Sequence, residues 1–304
     1  MSHPVATVPG PWAAVLRVWR AVTAAEVLHR WAIAALVANI GIVLTGALVR
    51  LTDSGLGCPT WPRCTAESYT PHPAYGIHGV IEFGNRLLTF VLAAIMIMTF
   101  LTALRVADRG ARPRARTIAL LLALGIPAQG VVGGLTVLTQ LNPFVVALHF
   151  LVSMGLVALS VLLVRRSLGL TPEPLAAGWQ RAVVVASYPV LWIVVWLGTV
   201  VTGSGPHSGD LNARRTGFDP AVVTHVHAAA VYLLVALTLV AVIWLRSRAV
   251  LVLLAVEVFQ ALVGVVQYNL ALPIGLVLLH VVGAALGIAA GTNLLLSCQK
   301  PVAP

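Results

Sequence analysis

The chain has 304 residues, 59% of them hydrophobic and only 9% charged, with a formal net charge of +10. A soluble domain cannot hide that much apolar surface, so the composition excludes a water-soluble protein and predicts a polytopic membrane protein. The basic excess would suit a nucleic-acid binder, but the placement of the charges assigns it to membrane orientation, and no nucleic-acid partner is expected.

In chain order, residues 1–26 carry Arg17 and Arg20 among short apolar runs. They show no cleavable signal peptide and read as a cytoplasmic N-terminal segment. Apolar stretches of transmembrane length follow at 27–51, 77–104, 117–138, 144–164, 182–202, 220–245, 249–269 and 274–296. Each can cross a hydrocarbon core of roughly 30 Å at about 1.5 Å per residue. The expected fold is all-α and polytopic, with eight transmembrane helices.

Cys58 and Cys64 lie in the loop after the first span, Cys-Pro-Thr-Trp-Pro-Arg-Cys. An external compartment permits a Cys58–Cys64 disulfide there, and no nearby histidine pair favours zinc. Cys298 reads as a reduced bystander. Residues 165–181, with Pro172, Pro174 and Gly178, form a cytoplasmic linker, and 298–304 a cytoplasmic tail. Every Lys and Arg except Arg50, Arg63, Arg86, Arg214 and Arg215 then falls on the side of the two termini, including Arg109, Arg112 and Lys300. That bias places both termini in the cytoplasm of a multi-pass cell-membrane protein.

The spans read as a duplication. Gln129-Gly-Val-Val-Gly133 precedes His149, and Gln260-Ala-Leu-Val-Gly264 precedes His280, with 20 residues from glutamine to histidine in both copies. Gly46-Ala-Leu-Val…Ser54-Gly55 recurs as Gly198-Thr-Val-Val…Ser204-Gly205, and Val80-Ile-Glu-Phe-Gly-Asn85 as Val222-Val-Thr-His-Val-His227. Four helices per half is an even number, so halves 27–164 and 182–297 cross in the same direction. They are expected to be parallel-repeat four-helix bundles related by an axis along the membrane normal.

His149, His227 and His280 each lie six or seven residues beyond Pro143, Pro220 or Pro273, the prolines that open their helices. That places them at one depth, roughly 9–10 Å below the outer helix ends. Imidazoles at one depth on neighbouring helices can face each other across a planar ligand, as axial heme ligation requires. His227 and His280 make the best pair. The alternative is helix-packing histidines bonded to carbonyls. His225 competes with His227 but points about 200° away around the helix, and the match to Asn85 selects His227.

In the first half His149 faces Asn85, a poor iron ligand, so that site would keep one strong axial imidazole and an open face suited to oxygen chemistry. Glu82, one turn before Asn85, could pass protons or partner Arg86 or an outer-loop arginine. Arg50, Arg86, Arg214 and Arg215 cluster near the outer face, suited to carboxylates such as heme propionates or to lipid headgroups. His72, His78 and His207 read as rim or loop residues. Glu257, inside the seventh span, either helps move protons or sits neutral and hydrogen-bonded.

These residues resemble the heme A synthase family. The resemblance rests on Gly46-Ala-Leu-Val-Arg-Leu-Thr-Asp-Ser-Gly-Leu-Gly-Cys-Pro-Thr-Trp-Pro-Arg-Cys64, on Ile81-Glu-Phe-Gly-Asn-Arg86, and on His149, His227 and His280. It implies heme b held by His227 and His280 in the second half, with Arg86 assisting cofactor binding. It further implies heme O as substrate in the first half, with Glu82, Asn85 and His149 near the reacting centre. Successive hydroxylations would convert one methyl group of heme O to the formyl group of heme A. The external cysteine pair resembles one used in redox exchange or loop stabilisation.

The family usually shows Glu-x-x-His-Arg where this chain has Glu82-Phe-Gly-Asn85-Arg86. Either His149 alone ligates the substrate, or Asn85 works by hydrogen bonding. Expected partners are membrane lipid, a heme O synthase, an electron donor and, as an open alternative, a second copy of the chain. A diheme b-type electron-transfer cytochrome is the competing function, and a heme carrier a third.

Overall fold

The structure is a computed structural model that describes residues 11–107, 113–170, 173–174, 178–211 and 213–299. Arg109, Arg112, Pro172, Lys300 and the last residues of the proposed tail lie outside the described residues. Among the described residues, eight helices are long and apolar enough to cross a membrane. They are α2 (Leu28–Leu51), α3 (Gly76–Ala107), α4 (Pro113–Leu138), α5 (Pro143–Ser167), α6 (Gly178–Ser204), α7 (Pro220–Leu245), α8 (Arg248–Asn269) and α9 (Ile274–Ser297). Large apolar side chains such as Phe90, Tyr232 and Leu262 are exposed on their outer faces, where lipid replaces water as the solvent.

The residues before α2 add an element that the hydropathy of the sequence did not announce. Pro11–Val22 form a further helix, α1, with Trp12, Val15, Leu16 and Trp19 exposed. These positions recur at helical spacing around Arg17 and Arg20, so the signal is an amphipathic period and not an apolar run.

The spanning helices start where the sequence supplies caps. The Asn142 side chain accepts from the Phe144 amide, Asp219 accepts from the Ala221 and Val222 amides, and Ser247 accepts from the Val250 amide. Pro143 and Pro220 occupy first-turn positions, where no amide is needed. Two reversals share one unusual geometry. Gln140 and Leu141 between α4 and α5, and Ala271 and Leu272 between α8 and α9, are consecutive non-glycine residues at positive φ. Such pairs are uncommon for side-chain-bearing residues, and here they fall at matching places in the sequence.

Helix neighbours follow two rings. In the first, α2 meets α3, α3 meets α4, α4 meets α5 and α5 meets α2; in the second, α6, α7, α8 and α9 meet in the same cyclic order. Contacts of α2 with α9, α5 with α6 and α5 with α9 join the rings. Polar side chains help hold helices together, as expected where water offers no competing bond. The Asn39 amide donates to Ser160 Oγ at 3.1 Å between α2 and α5, and Tyr188 shares a 2.9 Å bond with Thr292 between α6 and α9. A short parallel pairing of Glu173–Pro174 with Cys298–Gln299 ties the segment before α6 to the end of α9.

Candidate functional site

The rings of His149, His227 and His280 have a common seat, a glycine on the helix before. A Cβ added at Gly133 on α4 would lie 3.2 Å from His149 Cε1. The corresponding distances are 3.4 Å from Gly198 on α6 to His227, and 3.4 Å from Gly264 on α8 to His280. The bare backbone at each position is the space the imidazole uses. Two of these glycines close the repeated Gln-x-x-x-Gly stretches, so the motif encodes a helix contact.

The glutamines of that motif bond to backbone. Gln129 Nε2 donates to the carbonyl of His149 at 3.0 Å, and Gln260 Nε2 to the carbonyl of His280 at 2.9 Å. The carbonyl of residue i in a helix ordinarily serves the amide at i+4, so each glutamine adds a second bond that pins the histidine's turn to the helix before it. Gln129 also donates to Ser153 Oγ, which in turn donates to the His149 carbonyl.

Nδ1 of each of the three histidines is buried without a hydrogen-bond partner. His227 also reaches the Val194 backbone, and it lies within electrostatic reach of His280. His225 is separated from this group: its ring is exposed and Nδ1 donates to the Ala221 carbonyl of its own helix at 2.7 Å. Among the described residues no three or more His, Cys, Asp or Glu side chains gather as a metal cage. Imidazoles seated on glycine, each with an unpartnered Nδ1, are of the donor type that a porphyrin iron takes.

The first half departs from this pattern at Asn85. Its Oδ1 accepts from Thr45 Oγ1 at 2.7 Å, which turns the amide toward α2. Gly46, the counterpart of Gly198 in the sequence repeat, has nothing within 4 Å of an added Cβ. The glycine is therefore present while the ring that would rest on it is absent.

Glu82 faces the disulfide loop. Its Oε2 accepts from the Cys58 amide at 2.6 Å, and its Oε1 pairs with Arg86 at 2.6 Å. Arg86 donates further to the carbonyls of Cys58, Thr60 and Arg63. Of the two readings open for Glu82, the ion pair with Arg86 is the contact formed, and the guanidinium is occupied by the loop. Cys58 and Cys64 are joined in a disulfide, and both are fully buried. Close backbone approach explains the glycines beside them: a side chain at Gly57 would run into the His78 carbonyl, and one at Gly55 would meet the Gly209 carbonyl at 2.9 Å.

The other outer residues have structural partners as well. Arg50 donates to the carbonyls of His207, at 2.8 Å, and Thr202, at 3.1 Å. Arg215 donates to the carbonyls of Gly205 and Pro206, and both it and Arg214 are exposed. His207 Nε2 donates to the Leu272 carbonyl at 3.0 Å, and His78 shares a 3.0 Å bond with Ser54. Backbone acceptors leave no trace in a sequence, so neither these bonds nor those of the glutamines could be read from residue identities.

Fold and site together define a polytopic helical membrane protein that carries three half-buried imidazoles, each seated on a glycine of the preceding helix. A family model described as cytochrome oxidase assembly protein matches residues 29–207, more than half of the chain, and the chain belongs to that family. It is similar to the heme A synthase of Halalkalibacterium halodurans, 35% identical over 129 residues, which cover 41% of this chain and 42% of that protein. The heme A synthase of Shewanella oneidensis is 26% identical over 183 residues, covering 55% and 53%. That of Geobacillus kaustophilus is 38% identical over 128 residues, covering 40% and 37%. The chain thus spans about half or less of the length of these relatives in the matched regions. His227 and His280 lie beyond the residues matched by the family model.

Proposed function

We propose that this protein is a membrane oxidoreductase of heme A biosynthesis, converting a methyl group of heme O to the formyl group of heme A by successive hydroxylations. The observation that carries the reading is the set of three imidazoles seated on helix glycines, with Asn85 in the fourth position. His227 and His280 would hold a heme b as paired axial ligands, and His149 would hold the substrate heme from one side. A heme supplies one-electron transfer where both axial positions are filled and oxygen chemistry where one is open.

The residues of the chain then have separable tasks. Gln129 and Gln260 fix the turns that carry His149 and His280. Thr45 holds the Asn85 amide away from the open face. Glu82 and Arg86 brace the disulfide loop over the first half, and that loop limits water entry from the disulfide face. Arg50, Arg214 and Arg215 would be the cations available to heme propionates, with Arg50 already bonded to backbone carbonyls and Arg214 and Arg215 exposed. The matched helix rings and the shared positive-φ turns support two halves related as parallel repeats, 27–164 for substrate and 182–297 for cofactor. The disulfide face is assigned to the cell exterior and both termini to the cytoplasm, following the arginine bias.

A diheme electron-transfer cytochrome would need both sites closed, which Asn85 disfavours. The deciding experiment is expression in cells that make heme O, followed by extraction and identification of the hemes. Oxygen-dependent appearance of heme A is expected; unchanged heme O in cells containing the folded protein sinks the proposal.

A further inference from the structure

Among the described residues, the one buried acid that this scheme leaves unused is Glu257. It is 6% exposed and lies nine residues into α8, roughly 13 Å from the end of the helix that carries Arg248. Thr238 on α7, 1% exposed, donates to its Oε1 at 2.8 Å. Its Oε2 is buried and has no partner, and no cation pairs with the group in the described residues. An unpaired carboxylate in that setting is costly, so the group stands there as a neutral acid with a proton to give.

The direction in which that proton could act is marked by the next turn. Glu257, Gln260 and Gly264 fall at i, i+3 and i+7, one face of α8. Gln260 Oε1 is a second buried atom without a partner, an acceptor one turn from the orphan Oε2. The same amide holds the His280 carbonyl, and Gly264 seats the His280 ring.

The duplication provides an internal comparison. Counting from the matched pairs Asn85/His227 and Gln129/Gln260, the first-half counterparts of Thr238 and Glu257 are Met96 and Ile126. These are 0% and 3% exposed and belong to one apolar cluster. The scaffold packs well with no acid at this level, so the polar pair belongs to the second half and not to the fold.

We propose that Glu257, with Thr238 and Gln260, is a proton site coupled to the charge of the iron that His227 and His280 hold, an inference that rests on that ligation. Glu257 releases its proton when the iron is ferric and takes one up, from the side bearing Arg246 and Arg248, when a one-electron donor in the membrane reduces the iron. Reduction thus draws part of a proton in with the electron, and oxidation releases it. A unit charge at roughly 10 Å changes the proton affinity of such a group by about tenfold. No other titratable group competes at this level: residues 233–245 of α7 and 281–297 of α9 contain none, and the nearest on the facing helices are Tyr232, exposed on the outer face of α7, and then His227 and His280 themselves.

Infrared spectra of the heme-free protein test the acid alone. A protonated-carboxyl band is expected in the wild type and absent in Glu257→Gln, and its absence from the wild type overturns the proposal. Potentiometry of the heme-loaded protein tests the coupling. The midpoint potential should fall as pH rises in the wild type and lose most of that slope in Glu257→Gln. Equal slopes overturn the proposal. If Glu257→Gln does not fold, the double variant T238M/E257I copies the first-half packing and takes its place. Visible spectra separate the underlying reading, since a wild type lacking a bis-imidazole signal refutes the ligation and the coupling with it, whatever the infrared band shows.

Discussion

Glycine, at the scale of single residues, sets what each histidine can do. Because a Cβ at Gly264 would stand 3.4 Å from the His280 ring, alanine is tolerated there, whereas leucine must displace the imidazole. We expect Gly264→Ala to keep its heme and Gly264→Leu to lose most of it, read from the heme-to-protein absorbance ratio of the purified protein. The open space over Gly46 gives the converse expectation. Asn85→His should fit without repacking and add a low-spin bis-imidazole signal from the first half; an unchanged spectrum with the substrate heme bound would show that residue 85 does not face the iron. The sequence repeat singled out His149, His227, His280 and the odd position at Asn85, and the glycine seats of the three rings fit that reading. It could not reveal that the repeated glutamines reach backbone carbonyls, since any residue offers the same acceptor.

Among elements, the loop between α2 and α3 owes its shape to charge as much as to its disulfide. Arg86 neutralises a carboxylate that is 6% exposed and binds three loop carbonyls through the same guanidinium. Removing one partner leaves the other desolvated, so Arg86→Ala should cost roughly 3 kcal/mol. That loss would appear as a lower unfolding temperature in detergent, together with faster proteolysis near Trp61. Arg86→Lys should recover part of it, because an ammonium can pair with Glu82 but cannot reach the three carbonyls at once. The boundaries of α2 through α9 were legible to within a few residues from hydropathy, caps and prolines. Helix α1 was not, because Arg17 and Arg20 break its apolar residues into runs too short to span a membrane, leaving only an amphipathic period.

For the molecule as a whole, the proposed orientation rests on where arginine is sparse. Single cysteines placed in the exposed part of the 52–75 loop of a variant lacking Cys58 and Cys64 should react with a membrane-impermeant thiol reagent added to intact cells. Single cysteines at Arg246 or Arg166 should react only after the membrane is opened. The reverse pattern would invert the topology and move the disulfide into a reducing compartment. The pairing of like helices was foreseeable from the duplication, but the contacts between the rings were not. They depend on which lipid-sized faces fit together, and in an all-apolar helix every face looks alike to a hydropathy scale.

The two halves are also buckled together at the disulfide face. Arg50 from the first reaches carbonyls of Thr202 and His207 in the second, and the Gly55 amide donates to the Gly209 carbonyl at 2.8 Å. A carrier that shed its cargo by swinging one bundle against the other would have to undo this clasp on every cycle, abandoning a guanidinium inside the membrane boundary. On the proposed reading a rigid frame has the opposite merit: each incoming substrate heme would be received at the same distance from the cofactor heme, so electron transfer would keep one rate from turnover to turnover.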